Sequence, residues 1–96
     1  MYFLIFDCLP APHNPDRETI GGAFISCWIK CETLDIAEAA ARRQIETADW
    51  EIIEMTESRI VDRDDYSEDE IGRQYYEYAE TDGGVLVAHM YPPTNT

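Results

Sequence analysis

The sequence predicts an α+β domain: a two-layer sandwich in which a sheet of four to five strands carries two helices on one face. Three observations predict it. Several short apolar stretches are β-branched, aromatic or alternating, as strands require. Two other segments place apolar residues at a 3.6 period, each behind a capping signal. The elements alternate as β-β-α-β-α-β within 96 residues, which leaves room for one core only.

Residues 2–8 are a continuous apolar run and read as a buried strand. Residues 9–22 form a Pro/Gly-rich loop, because Pro10, Pro12 and Pro15 exclude helix and central strand and Gly21-Gly22 closes the segment. Residues 23–31 alternate: Ala23, Ile25, Cys27, Ile29 and Cys31 face one way, and Phe24, Ser26, Trp28 and Lys30 the other. Asp35-x-x-Glu38 resembles a capping box opening a helix to about Ala48, with Thr33 a competing cap. Its stripe is Leu34, Ile36, Ala37, Ala40, Ala41, Ile45 and Ala48, and Glu38, Arg42 and Glu46 form a charge ladder on the other side.

Residues 50–61 read as a strand whose alternation breaks at Ile52-Ile53, so a bulge or a break is expected near Thr56–Ser58. Residues 62–67 are an acidic linker. Ser67-x-x-Glu70 is a capping box for a second helix over residues 68–82, with Ile71, Tyr75, Tyr78 and Ala79 as its stripe and Gly83 as its C-terminal stop. Residues 85–91 are a last strand, ended by Pro92-Pro93, and Thr94-Asn95-Thr96 is expected to fray. Right-handed connections fix the hand of each β-α-β step. If residues 50–64 hold two strands, the run from residue 23 is β-α-β-β-α-β, the ferredoxin-like arrangement.

The segments Ala48-Asp-Trp-Glu-Ile-Ile-Glu and Tyr75-Tyr-Glu-Tyr-Ala-Glu-Thr-Asp-Gly-Gly-Val-Leu-Val-Ala-His-Met-Tyr-Pro resemble small uncharacterised bacterial proteins of ferredoxin-like type. The resemblance covers roughly the C-terminal half. It implies the fold and carries no functional residues.

Charge excludes some partners. Seven Lys and Arg stand against 20 Asp and Glu, a net charge of −13. Residues 1–48 carry 4 basic and 7 acidic side chains, and residues 49–96 carry 3 and 13. Nucleic acid and anionic membrane both need clustered positive charge, so neither is expected as a partner. No segment approaches the roughly 20 apolar residues that cross a bilayer, and no basic, apolar leader opens the chain. Three cysteines without a Cys-x-x-Cys pair read as reduced thiols, so the protein is expected to be cytoplasmic and complete as given.

No cofactor and no metal site is expected. Cys27 and Cys31 lie about 13 Å apart along one strand and cannot share a ligand. The acid run from Asp62 fails as a calcium loop, because Ser67 stands where glycine is needed and Arg73 where glutamate is needed. Three serines stand outside any nucleophile turn. Catalytic candidates reduce to His89, Tyr91 and Asp7, a histidine among apolar neighbours, a phenol beside it and a carboxylate in an apolar strand. His13 sits in the Pro-rich loop with Asp16 close in sequence.

With both helices on one face, Phe24 and Trp28 project from an uncovered one, and both faces of the last strand are apolar. A homodimer packed sheet to sheet is therefore expected. The leading expectation is a binding protein rather than an enzyme. It would use the open sheet face or the acidic second half to meet a basic protein, as an inhibitor or immunity protein covers a basic active site. Its candidate binding residues are Phe24, Trp28, Lys30, Asp62, Asp64, Asp65 and Glu68. The alternative is a small-molecule-binding or enzymatic dimeric α+β barrel with a pocket near His89. A third account is acidity as an adaptation for solubility.

Overall fold

The computed structural model describes residues 1–93. The elements are β1 (Tyr2–Pro10), β2 (Gly22–Ile29), α1 (Leu34–Thr47), β3 (Trp50–Ile60), a 3-10 turn at Arg63–Tyr66, α2 (Glu70–Asp82) and β4 (Gly84–Tyr91). The chain is α+β, with one four-stranded antiparallel sheet in the order β3-β1-β2-β4 and two helices. The expected fraying of residues 94–96 lies outside the described residues.

The two N-terminal apolar runs pair as the central strands. β1 extends two residues beyond expectation, to Pro10. Leu9 and Pro10 pair with β3 where the pairing of β1 with β2 has already ended at Cys8–Ala23, so the proline's missing N–H breaks no central ladder. Thr33, not Asp35, caps α1, its hydroxyl accepting from the Ile36 N–H at 3.3 Å. Asp69, not Ser67, caps α2, accepting from the Gly72 N–H at 2.9 Å. Gly83 ends α2 with a φ of +92°, a left-handed conformation that glycine adopts without a Cβ clash.

Two expectations about architecture are overturned. Residues 50–60 are a single strand followed by the 3-10 turn, so the β-α-β-β-α-β run is absent. The helices also lie on opposite faces. Leu4, Phe6, Cys8, Ala23, Ile25, Cys27 and Ile29 pack with Ala37, Ala41 and Ile45 of α1. Phe3 and Trp28, which alternation turns to the other side, pack with Val61, Tyr66, Tyr76 and Ala79. The physical reason lies in the strand directions. β2 and β3 are both antiparallel to β1, so only the step through α1 joins parallel strands and falls under the handedness rule. β3 and β4 run antiparallel at opposite edges, which leaves α2 free to cross the second face.

Consequently Trp28 is covered from within the chain. It is 6% exposed, its ring lies 4.9 Å from that of Phe3 and 5.2 Å from that of Tyr75, and it donates from Nε1 to the Tyr66 hydroxyl at 2.9 Å. The acidic linker is thus a structured turn that inserts Tyr66 beneath α2. The expected stripe of α2 is also rotated: Gly72, Tyr76 and Ala79 are buried, whereas Ile71 and Tyr78 are exposed. Gly72 permits this contact, because a Cβ there would lie 2.6 Å from the Tyr66 ring. In α1, Leu34 and Ile36 are likewise exposed, and Ala37, Ala41 and Ile45 alone are buried.

Candidate functional site

The second sheet face is organised in four rows across the strands. The registers place Arg59, Phe3, Trp28 and Val85 in one row, then Glu57, Ile5, Ser26 and Val87, then Glu54, Asp7, Phe24 and His89. The last holds Glu51 beside Leu9 and Tyr91 beside Gly22. The helix α2 and its preceding turn seal the first row and part of the second, where Trp28 and Ser26 are buried. The far end is open: Phe24 is 44% exposed, and Leu9, His89, Glu51 and Glu54 are exposed with it.

Two bulges in β3 build the acidic side of this opening. Glu51, Glu54 and Glu57 are spaced by three, so a regular strand would send Glu54 to the opposite face. The register shifts once between Asp7 and Cys8 and once between Ile5 and Phe6, leaving Ile53 and Thr56 as the extra residues. All three glutamates then stand opposite Leu9, Asp7 and Ile5 on the second face. The same shifts bring Trp50, Ile52 and Met55 to the face of α1, and all three pack against its core. Burial of that apolar set thus supports the alignment of the carboxylates. The Thr56 hydroxyl donates to the Ile5 carbonyl at 3.3 Å inside one bulge.

The aromatic part rests on Tyr91. Its ring lies 5.5 Å from that of Phe24, and its hydroxyl donates to Asp7 Oδ1 at 3.0 Å. Burial first, and then the Asp7 carboxylate, push the Tyr91 hydroxyl above the ordinary tyrosine range. Gly22 makes the contact possible, because a Cβ at that position would overlap the Tyr91 hydroxyl. Asp7 and Glu54 stand directly opposite each other across β1 and β3.

Of the residues singled out from sequence, Asp7, Tyr91, His89 and Phe24 converge on this face. Asp7 and His89 do not form a proton-transfer pair. Phe24 stands between them in the row, so they are separated by two strand spacings, about 10 Å. His89 is exposed and does not line the surface hollow of about 480 Å³ formed by Gln74, Glu77, Tyr78, Thr81 and Asp82. Trp28 belongs to the core. Lys30 lies beyond the sealed end, its Nζ donating to the Glu80 carbonyl at 3.4 Å. Asp62 and Asp65 are committed to the 3-10 turn, where the Asp62 N–H donates to Asp65 Oδ2 at 2.7 Å. That turn follows Ile60, which pairs with Tyr2, five residues and about 17 Å along β1 from Asp7. Asp64 and Glu68 are exposed beside it and do not join the patch.

Other candidates are structural. Cys8 and Cys27 are buried and unbonded, and burial raises their thiols to about 11 and about 12. His13 Nε2 lies 2.8 Å from Asp49 Oδ1, and with Asn14 it fastens the long loop to the turn before β3. Among the described residues no three His, Cys, Asp or Glu side chains are grouped to hold a metal ion. No helix among them is long and apolar enough to cross a membrane. No protein-family model, curated protein or solved structure matches the chain.

Proposed function

We propose that this protein binds a basic protein partner on the open end of its second sheet face. One observation carries the proposal: two bulges align Glu51, Glu54 and Glu57 on one face, with Asp7 between Glu54 and an exposed Phe24 whose ring packs on the half-buried Tyr91, and with Arg59 3.6 Å from Glu57. Burial of Trp50, Ile52 and Met55 sets the bulges, and the carboxylates they align share their face with the exposed Phe24. Aromatic rings supply contact area and accept a Lys or Arg over their faces, while the carboxylates supply charge-assisted hydrogen bonds. The net charge of −13 adds long-range steering toward a basic surface. Buried, unbonded Cys8 and Cys27 support a reducing, cytoplasmic setting for this encounter.

The test is affinity capture from an extract of the source organism, with identification of what is bound. The chain carrying Glu51→Lys, Glu54→Lys and Glu57→Lys together, and a Phe24→Ala chain, serve as controls. The expected partner is basic and is released as salt rises from about 50 to 300 mM, where screening shortens the range of surface charge. It is lost at least tenfold with the charge-reversed chain and less steeply with Phe24→Ala. A partner held equally well by the charge-reversed chain, or indifferent to salt, would overturn the proposal.

A further inference from the structure

The two edges of the sheet are built differently. The outer edge of β3 carries Glu51, Glu54, Glu57 and Arg59 and two bulges, devices that keep an edge from pairing with another chain. β4 (Gly84–Tyr91) holds no charged residue, pairs with β2 without a register shift, and has no proline before Pro92. Among the described residues nothing pairs with its outer side. The bonds from the Lys30 N–H to the Gly83 carbonyl (2.9 Å) and from the Gly21 N–H to the Tyr91 carbonyl (2.8 Å) turn odd-numbered residues of β4 toward β2. By alternation, the N–H and C=O groups of Leu86, Ala88 and Met90 point outward. On the face of α1, β4 is also bare, with Ala88 exposed and Met90 61% exposed.

We infer that the outer edge of β4 pairs antiparallel with β4 of a second copy of this chain, giving a two-fold dimer with one continuous eight-stranded sheet. A strand with no charged side chain gives a basic partner nothing to select, whereas it matches itself. A two-fold axis normal to the sheet makes the strands antiparallel and keeps like faces together. Centred on Ala88, where a side chain meets its own copy and a small one fits, it sets Leu86 opposite Met90 of the partner subunit. It also sets the acidic Glu80–Asp82 end of one copy against the uncharged Pro92-Pro93 end of the other, which a parallel pairing would not do. This dimer uses β4, not the acidic side of the open face, and does not depend on the basic partner proposed above.

Sedimentation velocity over a range of protein concentrations, at low and high salt, tests it. Because each copy carries −13, self-association is expected to tighten as salt rises, opposite in sign to the capture of a basic partner. Ala88→Glu places two like charges on the axis, and Ala88→Pro removes an outward N–H without touching the β2–β4 ladder. Each is expected to weaken the dimer at least tenfold, with the monomer's circular dichroism preserved. Hydrogen exchange at dimer-forming concentration reads the register: the amides of Leu86, Ala88 and Met90 gain protection, while those of Val85, Val87 and His89 are protected in the monomer already. A chain that stays monomeric at every concentration and salt overturns the inference. So does a dimer in which the Leu86, Ala88 and Met90 amides exchange freely.

Discussion

Asp49 holds a φ of +68°, the one non-glycine residue with positive φ among the described residues. It closes the turn between α1 and β3, where its carbonyl accepts from the Ala11 N–H at 2.9 Å and its carboxylate meets His13. A left-handed conformation costs an L-residue roughly 1 kcal/mol, and a solvent-exposed side-chain contact such as that with His13 returns little of it. Asp49→Gly is therefore expected to be more stable than Asp49→Ala by about 1 kcal/mol and close to the parent. Urea unfolding of the three chains checks this, and an alanine variant as stable as the glycine one would refute it. Cys27 gives a residue-scale pH dependence. Burial lifts its thiol from near 9 to about 12. Above about pH 9 the unfolded chain therefore loses the proton while the folded chain keeps it, so stability falls as pH rises toward 12. Cys27→Ala is expected to flatten that alkaline decline between about pH 8 and 10.5 in urea midpoints. An unchanged slope would show that the thiol does not contribute.

At the scale of elements, the bond from Trp28 to Tyr66 fastens the 3-10 turn and α2 to the sheet. Tyr66→Phe keeps the ring but leaves the indole N–H buried without an acceptor, which is expected to cost about 1–3 kcal/mol. Denaturation followed by tryptophan fluorescence measures it, and a loss under about 0.3 kcal/mol would show that water reaches the indole. The elements themselves were largely legible. Strands and helices stand within about two residues of their expected bounds, because periodicity and terminal glycine are local signals. Capping residues were less legible, since Thr33 and Asp69 compete with Asp35 and Ser67 and only the chain path selects between them. The glutamate ladder was missed for a related reason. The break at Ile52-Ile53 announced a bulge, but one bulge places Glu54 and a second places Glu57, and strand pairing alone reveals how many there are.

For the whole molecule, the decisive fact is that α1 and α2 cover opposite faces. The apolar second face that suggested a sheet-to-sheet homodimer is half sealed by α2, and Trp28 passes from candidate binding residue to core. What stays open is an acidic and aromatic end, together with one unprotected edge. These two features predict associations of opposite salt dependence, one weakened and one strengthened as salt screens the charge of −13. Measuring both in one protein separates them, since neither outcome follows from the other.

The sequence by itself determined the class, the elements and the acidity, because composition and short-range periodicity are properties of the chain alone. It also singled out Asp7, Phe24, His89 and Tyr91, which share one face, together with Trp28, Lys30, Asp62, Asp64, Asp65 and Glu68, which lie in the core or beyond the sealed end. Tertiary structure decided which face each helix covers, which carboxylates line up, and that Tyr91 rather than His89 reaches Asp7. Those outcomes depend on strand order and register across residues as far apart as Asp7 and Tyr91, where no local preference acts and only shared burial of the sheet's two faces selects the arrangement.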